Sequence, residues 1–357
     1  MSRTLIRQVA ANCELASGLQ AGSFSLCGLL LRLRLLYKWQ HDLPPWREPE
    51  PEAVLAWIAD LENAWETQEG APFQNLQVNG TSLDPFEVER INTFLEPEGL
   101  AYGAGFGRGL APTFVLAELA EVRREDEFTI MVLEEELVRD LAGHPAMCQG
   151  NLIYARRQSL AYYLWDRLAD PTQQHNRFLM AGWQIREATL PALLRNPEHH
   201  QEVWDRLVAE ELEAVIRHEL GEARESSLDQ AFSAIVSLFP QTPLDYWLRA
   251  VKDALADLNE IGRLSYIIAG RRLTSLALML AFQPGFYHLL LPELEPAFWK
   301  VAGSGDWEIL DSARRAALER LRRIAQEVRE LWGKYADGPQ DRLKDVLTAR
   351  FLTPLGL

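Results

Sequence analysis

The sequence predicts a mainly α-helical protein with a small antiparallel β-sheet, an α+β N-terminal part followed by a helical C-terminal domain. Three observations predict it. Helical apolar spacing dominates most of the 357 residues. Strand-like alternation and an Asn-Gly turn are confined to residues of about 74–133. After His144-Pro145, proline and glycine punctuate helix-length segments with little strand signal.

Taken in order, Ser23 to Trp39 ("SFSLCGLLLRLRLLYKW") is apolar around most of a helix and predicts a mostly buried one. Prolines 44, 45, 49 and 51 then enforce an extended connection. Glu52 to Glu69 sets Val54, Leu55, Ile58, Leu61 and Trp65 near one helical face. "LQVNGTSL" predicts a hairpin turning at Asn79-Gly80, because both residues tolerate positive φ. Asp84, Pro85 and Glu87 predict a capped helix start. Residues 100–133 read as two or three antiparallel strands, Phe128, Ile130 and Val132 alternating with Thr129, Met131 and Leu133. "EEELVRDLAG" predicts a helix ending at Gly143. Further helices are expected at about 156–169, 177–194, 198–225, 228–238, 243–260, 263–282 and 308–336. Two domains are therefore expected, 1–150 (α+β, hairpin and meander at about 74–133) and 151–357 (all helical).

Composition narrows function. A net charge of -15 repels phosphate backbones and anionic lipid, so neither nucleic acid nor membrane is an expected partner. The longest apolar runs fall well short of the ~18 residues needed to cross a bilayer. Three cysteines with no C-x-x-C pair suit a reducing compartment, and a cytoplasmic location is expected. Cys27, inside an apolar helix, reads as packing, and Cys13, between Asn12 and Glu14, as the more exposed thiol.

The stretch "NCELASGLQAGSFSLCGLLLRLRLLYKWQHDLPPW", residues 12–46, resembles the opening of an uncharacterised bacterial family of unknown function. "RHELGE" and "AVKDALAD" are also similar to that family. The resemblance implies no activity, cofactor or catalytic residue.

The chemistry candidates come from the residues themselves. "IRHELGEARE" (216–225) opens as a zinc-peptidase helix does, but Glu222 stands where the second histidine belongs. Its apolar sector, Trp204 to Ala223, contains Glu219 and Glu222, with His218 and Glu211 at one edge. Inward carboxylates need a proton, a cationic partner or a metal. One reading is an iron or manganese site of His218, Glu219, Glu222 and Asp257, with Asp253 and His288 as further donors. The structural reading is a buried ion-pair network with Arg271 and Arg272, in which case no cofactor is expected.

Elsewhere, "YGAGFGRG" (102–109) lacks G-x-G-x-x-G spacing and reads as a turn, or as a ligand loop through Tyr102, Phe106 and Arg108. Arginines 314, 315, 320, 322, 323 and 329 form a basic helix face, explained by intrahelical pairs or by docking of an acidic partner. Tryptophans 165, 183, 204, 247 and 299 read as core. Two functions stay open: a non-enzymatic binding or interaction protein with a protein partner or as a homo-oligomer, and a metal-dependent enzyme built on the 218–222 segment.

Overall fold

A computed structural model describes residues 3–68, 70–107, 110–173, 175–225, 230–283 and 285–356. The chain forms two compact units, residues 1–169 and 170–357.

In the first unit, α1 (Arg3–Ala21), α2 (Leu26–Gln40) and α3 (Pro51–Gln68) precede the hairpin of β1 (Leu76–Val78) and β2 (Thr81–Leu83). Asn79 and Gly80 take φ of 47° and 78°, the turn their identities predict. Then come α4 (Val88–Leu95), β3 (Leu100–Phe106), β4 (Pro112–Glu125), β5 (Phe128–Arg139), β6 (Ala146–Gln149), β7 (Leu152–Arg156) and α5 (Arg157–Ala169). These last five strands form one sheet ordered β3-β4-β5-β7-β6, antiparallel except where β7 runs parallel to β5. Register shifts between Leu116 and Glu121 bend the long β4–β5 ribbon. One sheet face packs Ala101, Val115, Ala117, Met131, Leu133 and Tyr154 together. The other is covered by α1, the hairpin and α4 through Val9, Cys13, Leu76, Ile91 and Phe114.

Polar side chains fasten α1 to that sheet. Ser17 Oγ accepts from the Leu141 N–H and Gln20 Oε1 from the Ala142 N–H, each at 2.9 Å. Gln20 Nε2 donates to the Pro112 carbonyl at 2.7 Å.

Several expectations change here. "EEELVR" is strand, not helix: its residues favour helix locally, but Val138 and Arg139 pair with Leu116 and Val115 of β4, and that ladder decides. Strands β6 and β7 follow His144, where little strand was expected. Asp84 forms a local turn, its Oδ1 accepting from the Phe86 N–H at 2.8 Å, so α4 starts only at Val88. Helix α2 buries Leu33, Leu36 and Lys38 but leaves Leu26, Leu30 and Leu31 exposed. Cys13 is buried and Cys27 exposed, the reverse of the expectation. Residues 108 and 109 of the glycine-rich segment lie outside the described residues.

The second unit is helical: α6 (Arg177–Gly182), α7 (Leu190–Arg195), α8 (Gln201–Arg224), α9 (Gln230–Leu238), α10 (Pro243–Leu258), α11 (Arg263–Ala269), α12 (Leu273–Ala281), α13 (Tyr287–Leu290), α14 (Leu294–Ser304), α15 (Glu308–Tyr335) and α16 (Gln340–Leu347). Helix α10 packs against both α8 and α15. The single helices expected over 177–194 and 263–282 are each broken. Thr189 caps a new start, its Oγ1 accepting from the Ala192 N–H, and Arg271 turns the chain at φ 49°. Trp165, Trp204 and Trp247 are core, whereas Trp299 is 37% exposed. No helix among the described residues is long and apolar enough to cross a membrane.

Candidate metal centre

Helix α8 presents His218 and Glu222 one turn apart on one face. Helix α10 starts sharply, with Pro243 in its first turn and Thr242 Oγ1 accepting from the Asp245 N–H, and it carries Lys252, Asp253 and Asp257. The two helices approach closely at Gly221. A Cβ there would lie 2.2 Å from the Ala256 carbonyl oxygen, so only glycine fits. Asn259 Nδ2 donates to the Gly221 carbonyl at 2.7 Å and locks the crossing.

This approach brings the charged groups together. His218 Nδ1 lies 2.8 Å from Asp257 Oδ1. Asp257 Oδ2 accepts from the Tyr287 hydroxyl of α13, also at 2.8 Å. The other ring nitrogen of His218 lies 4.0 Å from Glu222 Oε2. One donor atom each from His218, Glu222 and Asp253 fall within 4.8 Å of one another, and all three side chains are only partly buried. Lys252 pairs with Glu222 at the outer side.

The local field reflects an excess of carboxylate. Burial opposes charge on His218, but the Asp257 carboxylate outweighs it, aided by Glu219 and Asp253, and holds the imidazole up at about 10. Burial raises the Asp253 carboxyl; His218 pulls it back, Glu222 and Asp257 push it further, and it settles at about 6. Asp257 is held below the usual carboxylate range, since burial is outweighed by His218. Burial and the Asp257 charge push the Tyr287 phenol far up, so it stays a donor.

The expected residues are thus partly reassigned. His218 and Glu222 converge as donors. Asp257 contacts His218 Nδ1 instead of joining the cluster, and Asp253 is its third member. Glu219 is half-buried and stands outside the three-residue cluster. His288 is exposed and its Nδ1 is bonded to the Gly285 carbonyl; its neighbour Tyr287 is the residue that points inward. Tyr287 was legible only as an aromatic before a short apolar run.

Arg272 is engaged elsewhere. Arg272 lies 4.0 Å from Glu210 and its guanidinium sits over the Tyr266 ring. Arg271 is exposed. Both fall in the turn between α11 and α12. Glu211, 1% exposed, is met by Arg263 at 3.1 Å. A fully buried ion-pair cluster lies in the first unit, where Glu136 meets Arg139 and Arg156. On α15, Arg314 pairs with Asp311 and Arg315 with Glu308 within the helix, whereas Arg320 pairs with Glu293 and Arg322 with Glu225 and Glu260 outside it.

Comparison with known proteins adds the family. No curated protein and no solved structure matches the chain. Residues 4–156 match the N-terminal domain, and residues 161–350 the C-terminal domain, of the family of unknown function DUF6866. With both domains matched in order along nearly its whole length, the chain belongs to that family.

Proposed function

We propose that the helical unit binds a divalent transition metal, iron or manganese, through His218 Nε2, Glu222 and Asp253. The observation that carries this reading is the convergence of one donor atom from each of these three residues within 4.8 Å, backed by the 2.8 Å contact of His218 Nδ1 with Asp257, which leaves Nε2 as the nitrogen to offer. A metal-ligating histidine characteristically donates its second N–H to a carboxylate; because Asp257 also holds this imidazole up at about 10, the ion binds by displacing the Nε2 proton. One imidazole and two carboxylates suit iron or manganese better than softer ions. Three protein donors leave coordination positions for water or substrate, which favours a metal-dependent enzyme over a purely structural ion.

A second reading, a binding or interaction protein with a protein partner or in a homo-oligomer, is favoured by Leu26, Leu30 and Leu31, which are exposed on α2 at 73%, 44% and 49%. The ion pairs of Arg314, Arg315, Arg320 and Arg322 weaken the basic face of α15 as support for it, while Arg323 stays 72% exposed. A cytoplasmic location is supported by the three free thiols.

The test is metal analysis of purified protein reconstituted with Mn(II) or, without oxygen, Fe(II). One ion per chain is expected, retained in Glu219→Gln and lost in His218→Ala and Asp253→Asn. Wild-type protein without stoichiometric metal, or equal retention in all three variants, would sink the proposal.

A further inference from the structure

The free edge of β3 carries a second site, independent of the metal centre. The Gly107 N–H donates to the Ala111 carbonyl at 2.8 Å and the Leu119 N–H to the Gly99 carbonyl at 2.9 Å. With Gly103 opposite Val115 and Gly105 opposite Thr113, the odd-numbered residues of β3 bond to β4. The even-numbered ones direct their N–H and C=O outward. Phe114, opposite Ala104, agrees: its N–H donates to Asp140 Oδ2 at 2.8 Å instead.

Because β3 ends the hydrogen-bonded order of the sheet, no strand ladders onto those outward groups, although the sheet curls to bring β6 near them. Two side-chain amides stand in for one. Asn92 Oδ1 accepts from the Tyr102 N–H while its Nδ2 donates to the Tyr102 carbonyl, both at 2.8 Å. Gln149, from the far edge of the sheet, does the same at Phe106, both at 3.4 Å. The crossing of Gln149 requires Gly105, since a Cβ there would fall 2.2 Å from its Cδ. This accounts for a glycine in "YGAGFG" without any phosphate-binding role.

Ala104 lies midway between the two clamps. It is 3% exposed, its outward N–H and C=O bond neither to β4 nor to a side chain among the described residues, and it lines a cavity of about 470 Å³. Buried peptide groups are rarely left unmatched. The cavity is of small-ligand size, with Leu152 and Tyr154 on its wall and Phe86 stacked on Phe106 at 4.9 Å and 11°. Both flanking positions, Tyr102 and Phe106, are already bonded, so the gap is one rung wide and too short for a strand.

We propose that this cavity binds a small, planar, neutral molecule bearing a primary amide or lactam, whose C=O and N–H complete the Ala104 rung as the amides of Asn92 and Gln149 complete the neighbouring ones. A carboxylate offers acceptors only and would face the Ala104 carbonyl with a like partial charge. The aromatic pair at the mouth selects for a flat body.

The test uses the full chain labelled with ¹⁵N-alanine, the Ala104 amide signal being assigned by its loss in Ala104→Gly. Benzamide should shift that signal saturably in the millimolar range. Benzoate and N,N-dimethylbenzamide, each lacking half of the hydrogen-bonding edge, should bind at least about tenfold more weakly. Phe86→Ala, with its fold checked from the remaining alanine signals, should weaken benzamide similarly. An Ala104 signal unmoved by benzamide, or moved equally by all three probes, overturns the proposal. So does a crystal structure with saturating benzamide in which ordered water still bridges Ala104.

Discussion

Glu136 and Arg156 form a two-point contact in the sheet of the first unit: Arg156 Nη2 and Nε donate to the two carboxylate oxygens at 2.6 and 3.2 Å. The Ser159 N–H donates to the same carboxylate at 3.1 Å, Arg139 lies 3.6 Å away, and the Glu136 side chain is fully buried. Removing one member of such a set strands a charge away from water. Glu136→Gln should therefore cost about 3–5 kcal/mol in urea unfolding. Glu134→Gln, two residues earlier on the same strand and 48% exposed beside Arg157, should cost under about 1 kcal/mol. Equal effects would mean that the buried set adds nothing a surface pair does not.

The same group sets an acid limit. Burial works against its charge, but Arg156 and Arg139 outweigh burial and hold the Glu136 carboxyl at about 2. In the unfolded chain it titrates near the ordinary glutamate value. Between the two values the unfolded state binds the extra proton, so stability rises with pH there. The contribution is complete above about pH 4.5 and is lost as pH falls toward 2. Unfolding free energies at several pH values from 5 down to 2.5 should fall less steeply for Glu136→Gln than for wild type. Parallel curves would refute the assignment.

Legibility from the sequence followed the range of the interactions. The Asn79-Gly80 turn and the start of α10 at Thr242-Pro243 are local matters, and both were readable. Strand β5 past Leu133 was not, because "EEELVR" is composed of helix formers and only its partners on β4 make it a strand. The β6–β7 hairpin left a weaker trace, Gly150-Asn151 between two short apolar runs, with Gly150 at φ 60°. At the metal centre, the i, i+4 spacing of His218 and Glu222 was visible along the helix. Which aspartate of α10 donates and which orients depends on how α8 crosses it, and that is set by Gly221 against Ala256. Periodicity reports a face of a helix, not the depth at which a neighbour meets it.

Gly221 supplies a test with a reversed sign. Alanine for glycine inside a helix normally stabilises by about 0.5–1 kcal/mol. At Gly333 in α15 a Cβ would meet nothing within 4 Å, so Gly333→Ala should follow the rule. Gly221→Ala drives a methyl into the Ala256 carbonyl and should cost about 1–3 kcal/mol instead. Both are read from thermal or urea unfolding. A stabilised Gly221→Ala protein would show that α8 and α10 do not approach as described.

Asp257 separates orientation from ligation. It touches His218 and Tyr287 rather than standing among the three converging donors. An asparagine keeps its shape but presents an amide where the carboxylate stabilised the Nδ1–H tautomer. If the carboxylate orients the imidazole, Asp257→Asn should weaken Mn(II) binding by about 10–100-fold, as loss of an outer partner does at other metal sites. Tyr287→Phe, which removes one donor to Asp257, should have the same direction and a smaller size. Titration followed by the electron paramagnetic resonance signal of free Mn(II) gives both affinities. A merely structural role would lower the unfolding temperature of Asp257→Asn while leaving the affinity of the folded protein unchanged, and that pairing of results would remove Asp257 from the site.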